Sequence, residues 1–81
     1  VNYHLIYHAS ASSKIPGLPP EAFTALVDRL LELGDDPLDS TPVRAEEPNF
    51  RHATFGDRGI VAFYLDRPRR TITVYDILWA G

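Results

Sequence analysis

The chain has 81 residues, a formal net charge of −3, 44% hydrophobic residues and no cysteine. That length supports one small domain in which about 60% of the unfolded chain's surface is buried. The composition excludes disulfides and thiolate metal sites, and it counts against a free-standing nucleic-acid binder, which needs local positive charge. No apolar run approaches the roughly 20 residues of a membrane span, and no signal-peptide pattern opens the chain.

In chain order, 2–8 alternates Tyr3, Leu5, Tyr7 against His4, Ile6, His8, which predicts an opening strand with one apolar face. His4 and His8 would share one face about 13 Å apart at the strand rise, too far for a single metal ion. Residues 9–14 are small and polar and predict one or two weak helical turns, ended by Pro16 and Gly17. Ser10, Ser12 and Ser13 lack a nucleophile-elbow pattern and read as loop or capping residues.

A strong helix is predicted from Pro20 to Gly34. Proline suits the first helical position, and Glu21 lies near the positive end of the helix dipole. Phe23, Leu26, Val27, Leu30, Leu31 and Leu33 recur at helical spacing and predict a core-facing stripe. Gly34 is placed for a left-handed cap before Asp35-Asp36-Pro37. Residues 38–48 hold Pro42 and Pro48 without periodicity and read as an ordered loop.

Three strands then follow: Phe50 to Phe55, Ile60 to Leu65 and Thr71 to Trp79. The turns between them are short, so neighbours should be antiparallel. The middle strand is apolar at both parities, which predicts a central strand covered on both faces. Asp76 interrupts the last strand and predicts a bulge or an inward acid paired with an arginine. The fold class is therefore α+β: a two-layer domain over 1–81. Its antiparallel-rich twisted sheet, of the N-terminal strand and three C-terminal strands, is covered by one weak and one strong helix.

This order and spacing resembles the RelE/ParE family of bacterial toxins. The likeness rests on Tyr3-His4-Leu5-Ile6-Tyr7, on Leu30-Leu31-Glu32-Leu33-Gly34-Asp35-Asp36-Pro37, on Phe50-Arg51 through Gly56, on Ile60 to Asp66, and on Thr71 to Val74 with Ile77-Leu78. The resemblance implies the toxin of a type II toxin–antitoxin system, cytoplasmic and without cofactor or metal. Its partners would be a cognate antitoxin and, for a cleaving member, the ribosome and mRNA. A homodimer or a heterotetramer with the antitoxin would fit, and no membrane is involved. RelE-like members cut mRNA on the ribosome without a metal; ParE-like members poison DNA gyrase. The basic places that cleaving members carry before the hairpin glycine read Arg51, His52 and Thr54 here. The last strand, which there leads to His, Arg or Tyr, is followed here by Ala80 and Gly81.

Metal-free RNA cleavage needs a base, an acid and a cation for the phosphorane. The candidates are Arg51 and Arg58 as phosphate clamps, His52 for proton transfer and Glu47 (or Glu46) as base. Arg44 is a candidate RNA contact, and Tyr75 and Trp79 are candidates for stacking on bases. The alternative is a non-cleaving binding module on the same fold, holding an antitoxin or another partner or inhibiting gyrase. An arginine-rich concave face would favour cleavage; an exposed apolar groove without converging basic groups would favour binding.

Overall fold

The computed structural model describes residues 2–81. The elements run β1 (His4–Tyr7), α1 (Ala9–Ser12), a 3-10 turn (Ile15–Gly17), α2 (Pro20–Asp35), β2 (Thr41–Arg44), β3 (Glu47–Phe55), β4 (Gly59–Asp66) and β5 (Thr71–Trp79). The sheet is five-stranded in the order β1-β5-β4-β3-β2. The three later strands pair antiparallel in sequence, as their short turns require, and β1 joins the far edge parallel to β5.

β4 is the central strand, but only one of its faces is covered. Val61, Phe63 and Leu65 are buried, while Ile60 and Tyr64 are exposed on the other side. The buried face carries Ala53, Phe55, Val61, Phe63, Leu65, Ile72, Val74 and Ile77, packed against Leu26, Leu30 and Leu33 of α2 and Ala11 of α1. The expected cover on both faces is thus corrected. Both helices lie on one side, and an apolar run is the same in sequence whether its second face is covered or waiting.

Residues 38–48 contain an unexpected fifth strand. β2 pairs with β3 alone, so it is an edge strand, where Pro42 can lack its N–H without cost to a second neighbour. It is only four residues long and its register shifts between Pro42 and Arg44, which erases any alternation a sequence reading could find.

Helix α2 begins at Pro20 as expected, with Glu21 in its first turn, and runs one residue past Gly34. Gly34 is buried inside the helix rather than in a left-handed cap, and its carbonyl accepts the amides of Asn2 and Tyr3. The stripe also divides. Leu26, Leu30 and Leu33 are buried, with Ala22, while Phe23, Val27 and Leu31 form an exposed ridge along the helix. A stripe as wide as the sequence pattern is more than one sheet face can cover.

Candidate functional site

Strand pleating sends alternate side chains of β3 to opposite faces. Arg51, Ala53 and Phe55 turn inward and are buried, while Thr54 is exposed and Phe50 and His52 are half-buried. Across the register, Phe50 faces Tyr64, His52 faces Ala62, and Thr54 faces Ile60. In turn Ala62 faces Asp76 and Ile60 faces Leu78 on β5. The resulting open face is apolar and aromatic, with Ile60, Tyr64, Tyr75 and Leu78 all exposed.

A bulge gives this face its shape. Ala62 pairs with Asp76 and Phe63 with Val74, which leaves Tyr75 as the extra residue. Tyr75 lies edge-on to Phe50 at 6.2 Å between ring centres, and the His8 ring lies 5.1 Å away. The Ser10 hydroxyl donates to the Tyr75 carbonyl at 2.6 Å, so the bulge is tied to α1. His8 is the N-cap of α1, its ring accepting from the Ser10 amide, and is not a residue of β1. Phe50, Tyr64 and Tyr75, with Glu47, line a hollow of about 350 Å³.

Asp76, the residue after the bulge, is bonded by the Lys14 ammonium and by the amide of Ile77. The lysine hydrogen bond is the chief cause that holds its carboxyl below the usual aspartate range, against partial burial. The arginine partner expected for Asp76 is therefore corrected: the cation that reaches it is Lys14, from the segment after α1.

Arg51, expected to clamp phosphate, is only 7% exposed and fully engaged within the chain. Its Nε donates to Ser40 Oγ at 2.6 Å, and its two terminal nitrogens donate to the carbonyls of Pro48 and Ser40 at 2.7 Å each. The guanidinium faces inward because Arg51 shares the parity of Ala53 and Phe55. It fastens the 38–48 crossing to β3.

The other candidates are spread along the molecule. Glu47 opens β3 and Arg58 lies in the turn beyond its far end. A nine-residue strand places those ends about 26 Å apart at the strand rise, so the two do not meet on one phosphate. Arg44 is exposed and lies 3.7 Å from Glu47 in a loose ion pair. Trp79 is half-buried on the core side, its ring stacked on Phe55 at 5.8 Å, which removes it from the face that carries Tyr75. His52 and Tyr75 do share the open face, and the Arg58 carbonyl accepts the amide of Ala80.

Sequence reasoning missed Phe50 and Tyr64 as site residues. Both read as ordinary strand residues, and only the register sets them opposite each other. It also missed Arg29, which donates to the Thr54 carbonyl at 2.9 Å and to Glu32 and Asp39 at 3.0 Å each. Burial favours its neutral form, but these carboxylate bonds together outweigh that and hold the guanidinium more firmly charged. A second hollow, of about 290 Å³, lies between Arg29, Asp39, Thr41 and His52. Among the described residues, no group of three or more His, Asp or Glu could hold a metal ion, and no helix is long and apolar enough to cross a membrane.

Neither a protein-family model nor a curated protein sequence matches the chain. Solved structures do. The RelBE2 toxin–antitoxin complex of Mycobacterium tuberculosis contains a chain similar at TM-score 0.85 and 22% identity, covering 98% of this chain and 99% of that one. The intact Escherichia coli RelBE toxin–antitoxin complex gives 0.83 at 15% identity, with 98% of each chain covered. The archaeal RelE–RelB complex of Pyrococcus horikoshii gives 0.73 at 12% identity, over 100% of this chain and 98% of that one. Over nearly its whole length, the chain therefore adopts the fold seen in the RelE toxin–antitoxin structures.

Proposed function

We propose that this chain is the toxin of a type II toxin–antitoxin pair and that it acts by binding through the open face of its sheet. The observation that carries this reading is the uncovered apolar face itself: Ile60, Tyr64, Tyr75 and Leu78 stand exposed on a sheet whose other face is packed. The whole-length likeness to chains solved in RelE–RelB complexes supports a cognate antitoxin as one partner. The arginines expected to hold phosphate are elsewhere, Arg51 being buried and Arg58 lying in the β3–β4 turn. That favours binding over cleavage.

A second reading keeps cleavage of ribosome-bound mRNA. It is favoured by the shared face of His52 and Tyr75, a proton-transfer group and a stacking ring two strands apart on one side of the sheet. Glu47 would supply the base and Arg44 the cation.

The test is induction of the wild-type chain in a bacterium, with primer extension on translated message. Binding predicts growth arrest without new RNA ends, relieved by the small protein encoded beside the chain in its host. New RNA ends that vanish in His52→Ala would establish the second reading. A folded chain that leaves growth unchanged would overturn both.

A further inference from the structure

The hollow lined by Phe50, Tyr64, Tyr75 and Glu47 has a definite electrostatic sign. Three aromatic rings, whose π faces carry the negative part of the quadrupole, line it, and a carboxylate stands with them. None of the four lining residues carries positive charge. A phosphate placed here would meet the Glu47 carboxylate, whose nearby cation, Arg44, reaches it only at 3.7 Å, whereas a cation would meet that carboxylate and three aromatic rings.

The hollow is also partly preorganised. Phe50 and Tyr64 are fixed opposite each other by the β3–β4 register. Tyr75 is thrown outward by the bulge and tied through its carbonyl to Ser10. Two of the rings meet at 74°, so a flat cation stacked on one presents its edge to the other. The cation nearest Glu47, Arg44, is exposed and reaches it only at 3.7 Å. Such an exposed pair contributes little and yields readily to a better-held cation.

We infer that this hollow is a cation-receiving cage and that its occupant is an arginine side chain of a protein partner. A guanidinium matches it because it is planar, stacks on aromatic faces, is weakly hydrated and can still bond a carboxylate. The net charge of −3 adds long-range attraction for a basic segment. The identity of the occupant rests on the reading above, that the open face receives a protein; the charge preference of the cage does not.

The test is an NMR titration of the whole chain with Nα-acetyl-arginine amide. Acetyl-citrulline amide serves as the neutral isostere and uridine monophosphate as the anionic arm. The arginine probe should shift the ring resonances of Tyr64 and Tyr75 saturably. Citrulline should bind about fivefold to tenfold more weakly, as should the arginine probe to Glu47→Gln or Tyr75→Leu. Arg44→Ala should bind the arginine probe at least as well as wild type. Equal binding of citrulline and arginine, saturation by the nucleotide instead, or no saturable shift with any probe would each overturn the cage. If the arginine probe saturates while induction leaves growth unchanged, the toxin reading fails and the cage stands.

Discussion

The Arg51 guanidinium donates from Nε to Ser40 Oγ at 2.6 Å, and Ser40 Oγ in turn donates to the Pro37 carbonyl at 2.6 Å. These two residues, eleven apart in sequence, clamp the start of the crossing that delivers β2 to the sheet edge. Arg51→Ala would leave the Pro48 and Ser40 carbonyls without these donors and remove a partly buried set of three bonds. It should cost about 2–3 kcal/mol in chemical denaturation. Arg51→Lys should recover little, because an ammonium cannot reproduce the fork. Unchanged stability in Arg51→Ala, with lost activity, would return Arg51 to the role of phosphate clamp.

Neighbouring leucines on α2 have opposite surroundings: Leu30 is 3% exposed and Leu31 50%. Leu30→Ala should cost about 2–5 kcal/mol, a large share of a small domain's stability. Leu31→Ala should stay within about 0.5 kcal/mol. Thermal midpoints of the two variants, measured side by side, check the division of the stripe. Equal losses would mean that the ridge is buried in solution, as in self-association.

Gly59 faces Phe55 across the hairpin, and a Cβ there would lie 2.5 Å from the tip of the ring. The ring has little room to retreat, since it is buried and stacked on Trp79. Gly59→Ala should therefore destabilise by about 1–3 kcal/mol, the usual range for overpacking. Gly17→Ala, whose Cβ would meet nothing within 4 Å, is the control and should change the midpoint little.

The Lys14–Asp76 pair predicts a pH dependence. The Asp76 carboxyl titrates lower when folded than when unfolded, chiefly through the lysine bond. Its stabilisation is thus fully present above the ordinary aspartate range and is lost as pH falls through the depressed folded value. The pair is 44% exposed on both sides, so screening keeps its contribution within about 1 kcal/mol. Asp76→Asn should flatten the fall of the thermal midpoint below about pH 4 and leave the region above pH 6 nearly parallel to wild type. An acid limb of unchanged slope would show that the pair does not form in solution.

Local chemistry alone determined several elements. Pro20 with Glu21 started α2, the Gly and Pro turns separated β3, β4 and β5, and Asp76 marked the bulge. Each of these is a backbone preference or a short-range periodicity, which is written in adjacent residues. Which face of each pattern is covered is not. Leu30 and Leu31 obey the same spacing, and β4 is apolar at both parities, so only the packed position of α2 decided that Val61 is buried and Ile60 exposed. Arg51 reads as a surface cation until strand parity turns it inward onto Ser40 and Pro48. The aromatic hollow is the clearest case. Phe50, Tyr64 and Tyr75 are spread over 26 positions, and they meet only because two hairpin registers and one bulge bring three strands together. Hydrogen bonds between strands set those registers, and no local pattern in the chain encodes them.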